Sequence, residues 1–396
     1  MIYLDHAATT NVRSEVLDAM LPWFSENYGN PSSIYGIGRK SKKAIEEARE
    51  QISTAIGCEA REIYFTSGGT ESDNWALKGT AFSQSVKGKH IITSAIEHHA
   101  VMHTCMQLEK EGYEVTYLPV DPDGLVDPEH VAAAIRKETI LVSIMMANNE
   151  IGTLQPISKI GSITREKGVL FHTDAVQAAG AVPVNVQQLN VDMLSLSSHK
   201  FYGPKGVGAL YIRRGLKFPA FLHGGAQERN RRAGTENVPA IVGMGKALMM
   251  ATEEIDAYAS RMQALRDATI EKVMARIPHT RLNGHKTLRL PGNCNFSFEY
   301  IEGESLLLLL DMKGIAASSG SACSSGSLDP SHVLLALGLR HETAHGSLRI
   351  TYGRQNREED VDTLVENLII FVNRLREMSP LYEASARNRK EVENRV

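Results

Sequence analysis

The stretch Met193-Leu-Ser-Leu-Ser-Ser-His-Lys-Phe-Tyr-Gly-Pro-Lys-Gly206 joins a short apolar run to a lysine that stands among hydroxyl groups. The run Met193–Leu196 is typical of a buried strand. Lys200 would then lie just beyond a strand end, where open α/β sheets build their active sites. Most lysines are solvated surface charges, so Lys200 gains functional meaning only from its surroundings.

Similar apolar runs recur on both sides of this stretch and alternate with helical patterns. Strand–helix alternation predicts one large α/β domain with a mostly parallel sheet covered on both faces. The predicted strands are Ile63–Thr66, His90–Ser94, Glu114–Leu118, Ile140–Ala147, Val169–His172, Met193–Leu196 and Ala209–Ile212. The predicted helices are Lys40–Ile56, Glu71–Ala81, Val101–Lys110, Pro128–Ile135 and Ile157–Lys167.

The pattern changes beyond Asn237. The stretch Pro239–Ala275 is helical and contains no strand pattern, and short β-like runs alternate with turns over Arg281–Ile315. We therefore expect a second, smaller domain from about residue 260. The last residues, 382–396, are rich in Arg, Glu and Asn and predict a solvated tail.

Composition excludes several classes of protein. Lys and Arg total 43 against 46 Asp and Glu, and without a dense basic run this argues against a nucleic-acid binder. The apolar runs are too short to span a bilayer, and the start MIYLDHAATT is not a secretory signal, so we expect a cytoplasmic protein that does not bind a membrane. The 4 cysteines form no CxxC pair, which suits a reducing compartment rather than a disulfide framework or a zinc knuckle.

An aspartate follows the predicted strand that precedes Lys200. Asp174 comes just after Val169–His172, where a buried carboxylate needs a cationic or hydrogen-bonding partner. Pyridoxal phosphate needs both a Schiff-base amine and a partner for its ring nitrogen, so Lys200 and Asp174 together predict this cofactor. Its phosphate needs N–H donors, and Thr66-Ser-Gly-Gly-Thr-Glu-Ser72 is a glycine turn between strand and helix. Without that pair, the turn would be interpreted as an ordinary capped loop.

Histidine and asparagine side chains follow two other predicted strands. The first of them, His98, could stack on a pyridine ring and move protons near neutral pH. The spacing of His99 and His103 also fits a metal pair on a helix, but no carboxylate completes a zinc set. Asn149 could donate to a phenolic oxygen or a substrate carboxylate, or it could be a turn amide.

The segment Ser318-Ser-Gly-Ser-Ala-Cys-Ser-Ser-Gly-Ser327 is too small-sided to pack a core and is punctuated by glycine like a mobile loop. A free cysteine is usually a small buried hydrophobe, which fits Cys58, Cys105 and Cys294. Cys323 does not fit that description and predicts an accessible thiol that acts as a nucleophile.

An arginine occurs further along, in the β-like run Ser347-Leu-Arg-Ile-Thr351. A bidentate guanidinium at Arg349 could hold the carboxylate of an amino acid. A structural salt bridge explains the same residue equally well.

Taken together, these motifs resemble those of the cysteine desulfurases of the NifS/IscS class, which are fold-type I pyridoxal-phosphate enzymes of the class-V aminotransferase-like group. The resemblance covers nearly the whole chain. It rests on Tyr3-Leu-Asp-His-Ala-Ala-Thr-Thr10, Gly29-Asn-Pro-Ser-Ser33, Thr66-Ser-Gly-Gly-Thr-Glu-Ser72, Asn148-Asn-Glu-Ile-Gly152, Ser198-His-Lys-Phe-Tyr-Gly-Pro-Lys-Gly206, Arg232-Ala-Gly-Thr-Glu-Asn237 and Ser318-Ser-Gly-Ser-Ala-Cys323.

The resemblance implies a fold and a division into domains. The expected fold is α/β, with a mostly parallel seven-stranded sheet in the large domain and a smaller α+β domain. The large cofactor-binding domain would span residues 16–259. The small domain would combine residues 1–15 and 260–380 and carry the Cys323 loop, and residues 381–396 would form the tail.

The resemblance also implies roles for individual residues. The catalytic residues would be Lys200, His98 and Cys323. Pyridoxal phosphate would be bound by Lys200, Asp174, Gln177, His98, Asn149, Gly69, Thr70, Ser197, His199 and, from the neighbouring subunit of a homodimer, Thr235. The substrate, L-cysteine, would be bound by Arg349 and Asn149.

The implied reaction yields L-alanine and a persulfide on Cys323, whose sulfur passes to an acceptor protein such as an iron–sulfur scaffold. In scaffold-bound relatives the persulfide cysteine can also be a ligand of a nascent [2Fe-2S] cluster, which would make Cys323 a metal ligand. The tail from Ser379 onward does not resemble the longer docking tail of housekeeping members, so the acceptor and the pathway stay open.

Other functions share part of this constellation. An aminotransferase would use Lys200 and Asp174 but has no use for a loop thiol. A selenocysteine lyase would share all three groups, so selenocysteine stays open as a second substrate. A non-enzymatic relative would have lost Lys200, Asp174 or Cys323, and all three are present.

Overall fold

The computed structural model of the chain describes residues 1–319 and 330–382. Its strands are β1 (Ile2–Tyr3), β2 (Ile63–Thr66), β3 (His90–Ser94), β4 (Glu114–Leu118), β5 (Thr139–Ser143), β6 (Leu170–Asp174), β7 (Met193–Ser197), β8 (Gly208–Ile212), β9 (Thr280–Leu282), β10 (Asn293–Phe298), β11 (Ile315–Ala316) and β12 (Ser347–Thr351).

The helices cover the sheets and connect them. They are α1 (Ser14–Met20), α2 (Pro22–Ser25), α3 (Gly36–Ile56), α4 (Gly69–Gln84), α5 (His99–Lys110), α6 (Pro128–Ala134), α7 (Ile157–Lys167), α8 (Val186–Leu189), α9 (Gln227–Asn230), α10 (Val238–Glu253), α11 (Ile255–Arg276), α12 (Gly303–Asp311), α13 (His332–Ala336), α14 (His341–His345) and α15 (Glu358–Glu377). Among the described residues, none of the helices has both the length and the apolar character needed to cross a membrane.

The largest sheet has seven strands in the order β2-β8-β7-β6-β5-β3-β4. Neighbouring strands from β4 to β7 run parallel, whereas β8 is antiparallel to both β7 and β2. The predicted α/β fold with a mostly parallel seven-stranded sheet is therefore confirmed. Because parallel strands end at one edge, the residues that follow β3, β5, β6 and β7 are brought together.

Alternate side chains of this sheet enter two different apolar clusters, as the period of two in a strand requires. Ile92 and Val142 pack with Ile52 of α3 and Met244 of α10 on one face. Their neighbours Ile91 and Leu141 pack on the other face, in the cluster that holds Trp75 and Val101 of α4 and α5. Both faces are thus covered, which explains why these strands form continuous apolar runs in the sequence.

One predicted strand, Ile140–Ala147, is observed only as Thr139–Ser143. Strand β3 ends at Ser94, so the Met145 N–H finds no backbone partner on that side and donates to the Glu97 carboxylate at 3.0 and 3.1 Å. The pattern was long enough for a longer strand, but the ladder stops where its neighbour stops.

A third apolar cluster joins the N-terminal strand to elements of the C-terminal part of the chain. Leu4 packs there with Phe296, Leu348 and Leu368, and β1 pairs in parallel with β11. Val16 and Met20 pack in the cluster of α3 and α10 instead. This packing is compatible with the division at residues 16 and 260, which stays a prediction.

The sheet core generates a prediction about stability. Phe171 lies on β6 in the middle of the sheet and is completely buried. Replacing Phe171 by alanine is expected to lower the free energy of unfolding by about 3–5 kcal/mol, because the fold can fill only part of the cavity left behind. Phe82→Ala is the control, since this side chain is 75% exposed. Urea unfolding followed by circular dichroism measures both variants, and equal losses would contradict the central position of Phe171.

Candidate active site

A cavity of about 570 Å³ lies at the edge of the sheet where the parallel strands end. The predicted site residues in its wall are Lys200, Asp174, Gln177, His98, Asn149, Gly69, Thr70, Ser197, His199 and Arg349. Thr235 is exposed and does not line this cavity. Cys323 falls outside the described residues.

Lys200 enters the cavity from the single turn of 3₁₀ helix that follows β7. Its Nζ donates to the carbonyl oxygens of Ala7 at 2.6 Å and Ala8 at 2.8 Å. The Ala7 carbonyl also accepts a hydrogen bond of 2.9 Å from Gln177 Nε2. The N-terminal segment therefore forms one wall of the site, a role that its composition did not indicate.

Asp174 is the last residue of β6, and its carboxyl group is buried in the wall of the cavity. Burial raises its pKa to about 6, although the 2.8 Å hydrogen bond from the Val176 N–H and the charge of Lys200 favour the ionised form. Above pH 6 the site therefore holds a buried carboxylate, which needs a cation or strong donors beside it.

A polar network that sequence reasoning missed lies under Asp174. His172 is completely buried, and its two ring nitrogens pair with Ser143 Oγ at 2.8 Å and Ser195 Oγ at 2.9 Å. Burial lowers the pKa of His172 to about 3, so the ring is neutral. Burial and then the charge of Asp174 raise the pKa of Asp73 well above its ordinary value. The sequence did contain a signal for this network, namely polar residues at inward positions of apolar strands, such as His172 and Ser195.

His98 caps helix α5, where its Nδ1 accepts a hydrogen bond of 3.1 Å from Ala100 N. Burial, and then the charge of Lys200, lowers its pKa to about 4. Burial likewise lowers the pKa of His199 to about 4. Both rings are neutral at physiological pH, and both line the cavity.

The glycine turn between β2 and α4 forms another wall. A Cβ on Gly69 would lie 2.7 Å from Val176 Cγ2, so a larger residue there would require the Val176 side chain to shift. Glu71 accepts from the Ser67 N–H at 2.8 Å and pairs with Arg232 through contacts of 2.8 and 3.0 Å. The turn is thus fixed at the N-terminus of a 16-residue helix, where backbone N–H groups attract an anion.

Arg349 reaches the cavity from β12. Its guanidinium pairs with Asp5 Oδ1 at 2.7 Å and donates to the Asn149 carbonyl at 2.9 Å, while its buried Nε has no hydrogen-bond partner among the residues that the structure describes. The structural salt bridge anticipated as one explanation is present, and the same guanidinium also faces the cavity. Both explanations of Arg349 therefore remain compatible with the geometry.

The structure also describes the three other cysteines and the histidine pair that the sequence singled out. Burial raises the pKa of Cys58, Cys105 and Cys294, the last to about 12, so these thiols resist ionisation. The ring of His99 lies 4.9 Å from that of His103. Within residues 1–319 and 330–382, no group of three or more histidine, cysteine or carboxylate side chains could hold a metal ion. The predicted cluster ligand Cys323 lies outside these ranges.

Comparisons with known proteins agree with this geometry. Residues 2–364 match the family model described as aminotransferase class-V. A protein of Methanosarcina thermophila named cysteine desulfurase IscS is 62% identical over 380 residues, covering 96% of this chain and 94% of that protein. A solved NifS-like protein superimposes with a TM-score of 0.89 at 39% identity, covering 94% of this chain and all of that one.

A further solved structure, described as SspA in complex with cysteine, has a TM-score of 0.79 at 39% identity and covers 89% of this chain and 98% of its own. Identity at this level over almost the full length of both proteins shows the family as well as the fold. The chain therefore belongs to the class-V aminotransferases and, within them, to the cysteine desulfurases of the NifS/IscS class.

Proposed function

We propose that the protein uses pyridoxal phosphate to remove the sulfur of L-cysteine, producing L-alanine and a persulfide on Cys323. The observation that carries the proposal is the meeting of Lys200, Asp174 and Arg349 in one cavity beside the N-terminus of α4. An amine, a buried carboxylate, a guanidinium and an anion-binding turn are the groups that an amino acid and this cofactor need.

The residues present fit the cofactor. The buried Asp174 carboxylate calls for a cationic partner, which a protonated pyridine nitrogen supplies. The phosphate would be held by Gly69, Thr70, Ser197 and His199, the ring by His98, Asn149 and Gln177, and the carbonyl carbon by Lys200. When bound, the cofactor supplies an electron sink that stabilises negative charge on the substrate Cα.

The remaining steps of the proposed reaction are carried out by side chains of the protein. Arg349 orients the substrate carboxylate, and Lys200 removes the proton from Cα and later returns protons to the product. The Cys323 thiolate attacks the substrate sulfur, an S–S bond forms and the Cβ–S bond breaks with its electron pair on carbon. Protonation at Cβ then gives the methyl group of alanine. We assign this role to Cys323 because it lies in a Ser/Gly-rich segment of the sequence. The raised pKa of Cys58, Cys105 and Cys294 disfavours these thiols as the nucleophile.

We also propose a homodimer in which Thr235 completes the phosphate site of the neighbouring subunit. Two observations support it. Thr235 is exposed outside its own cavity. Apolar side chains are exposed along residues 17–35, among them Phe24 at 62% and Ile34 at 89%. An exposed apolar patch of this kind marks a protein interface.

The fate of the sulfur rests on the resemblance alone. The acceptor would be a protein such as an iron–sulfur scaffold, the compartment would be the cytoplasm, and Cys323 would be the residue that can also touch a nascent cluster. Residues 383–396, part of the predicted tail, lie outside the described residues.

The first prediction from the proposed function concerns Cys323. Incubation of the wild type with L-cysteine, without reductant, is expected to add one sulfur to the Cys323 peptide and release a matching amount of alanine, both measured by mass spectrometry. Cys323→Ala should keep the absorbance of the bound cofactor but lose sulfide release, because the nucleophile is gone. Cys58→Ala should behave as the wild type. Sustained turnover by Cys323→Ala would refute the assignment.

The second prediction concerns Asp174. Asp174→Asn should weaken cofactor affinity at pH 8 by about tenfold or more, because a hydrogen bond to a charged group contributes about 1.5–3 kcal/mol. Without cofactor, the same variant should unfold at a higher temperature than the wild type. The folded pKa of about 6 is above the ordinary value, so ionised Asp174 destabilises the native state at high pH.

The pH dependence provides the control for Asp174. The difference in melting temperature between wild type and Asp174→Asn should be largest above pH 6 and vanish below about pH 4, where the carboxyl is protonated in both states. Circular dichroism at several pH values measures it. A difference that does not change with pH would mean that Asp174 is not the titrating group.

The third prediction separates the two explanations of Arg349. Arg349→Lys should raise the KM for L-cysteine by about tenfold, because lysine cannot form the bidentate contact with a carboxylate. Asp5→Asn removes the ion pair but keeps the guanidinium, so its KM should change much less. Steady-state alanine formation measures both. Equal effects of the two substitutions would favour a purely structural salt bridge.

A further inference from the structure

The segment around α9 has a backbone conformation that L-residues adopt reluctantly. Three consecutive residues have positive φ, namely Glu228 at 44°, Arg229 at 58° and Asn230 at 63°, and none of them is glycine. Such a run costs free energy and persists only where the surroundings determine it. It begins seven positions before Thr235 in the printed sequence.

A buried ion pair fixes this segment. The Glu228 carboxylate accepts from Arg49 Nη2 at 2.8 Å and Nη1 at 2.9 Å, and also from the Phe65 N–H at 2.9 Å. Arg49 Nη1 donates in addition to the Ile63 carbonyl at 2.7 Å. Both side chains are almost completely buried, and the two-pronged ion pair holds the segment against α3 and β2 in one geometry.

Further arginines, one within the strained run and two directly after it, also hold the segment. Arg229 and Arg231 lie over the ring of Tyr64, at 4.1 and 5.1 Å from its centroid. Arg232 forms the fork with Glu71 at the glycine turn of the same chain. Three positions after Arg232 the chain reaches Thr235, which is exposed.

We propose that Glu228 is a positioning residue that, through the Arg49 fork, holds Thr235 in place for the phosphate site of a second copy of this chain. The inference rests on the cofactor and the homodimer described under Proposed function. Glu228 touches neither substrate nor cofactor and acts only through Thr235. The same ion pair holds three strained residues that lie five to seven positions before the exposed threonine.

The test measures cofactor affinity of the dimer after removal and return of pyridoxal phosphate, by fluorescence titration. Glu228→Gln and Glu228→Asp should each weaken affinity by about tenfold, as should Thr235→Ala, since a charge-assisted contact to phosphate is lost. Glu228→Asp keeps the charge opposite Arg49, so it serves if Glu228→Gln fails to fold. The double variant of Glu228→Asp and Thr235→Ala should bind no more weakly than Thr235→Ala.

A control is the less buried Arg13–Glu254 fork, with contacts of 3.0 and 3.2 Å, which does not line the cavity. Glu254→Gln should lower the melting temperature and leave cofactor affinity unchanged. Normal affinity in a folded Glu228 variant, or losses that multiply in the double variant, would overturn the proposal. Failure of the wild type to bind pyridoxal phosphate would instead refute the proposed function.

Heterodimers test whether the effect crosses the interface. When one chain carries Lys200→Ala and the other Glu228→Asp, the intact cavity receives Thr235 from an unaltered segment and should retain cofactor as the wild type does. When one chain carries both substitutions and its partner is wild type, the intact cavity receives Thr235 from the altered segment and should lose cofactor on dialysis. Absorbance of the retained cofactor measures both heterodimers. Loss of cofactor from the first heterodimer and its retention by the second would overturn the proposal.

Discussion

The charge of one buried carboxylate, that of Asp174, governs the arrangement of the site. The carboxyl stands at the end of β6, where burial raises its pKa to about 6. The groups beneath it add no second charge, because burial lowers the pKa of His172 and raises that of Asp73. Of these three groups, only Asp174 is therefore ionised at physiological pH, and the nearby charge of Lys200 favours that form. The parallel strands are what bring these groups to one edge.

The cavity is closed by parts of the chain that are far apart in sequence. Arg349 pairs with Asp5 across 344 positions, and Thr10 N donates to the His199 carbonyl at 2.9 Å. The N-terminal segment thereby bridges the large sheet and the cluster that contains β12. This explains how a segment without regular structure can contribute a wall, since both of its ends are fixed by packing.

Local sequence patterns predicted the part of the site that depends on strand ends. Lys200 and Asp174 follow apolar runs, and the rule that parallel strands end together was enough to pair them. Glu97 and Asp73 could not be found in this way, because their importance comes from burial beside residues distant in sequence. The predicted end of β5 was wrong for the same reason. The Glu97 carboxylate accepts the hydrogen bond from the Met145 N–H that a longer strand would have used. The proposed role of Thr235 came only from the resemblance, because no local pattern would specify a contact to another chain.

Two locally unfavourable features of the fold belong to the proposed site. One is the ionised Asp174, and the other is the run of positive φ from Glu228 to Asn230. A cationic cofactor ring would relieve the first, and the Arg49 fork restrains the second. Because a ligand that binds only the folded state stabilises it by mass action, a bound cofactor would offset the cost of the buried charge. The chain thus holds an unfavourable charge where a ligand would offset it, as expected when catalysis rather than stability determines the residue.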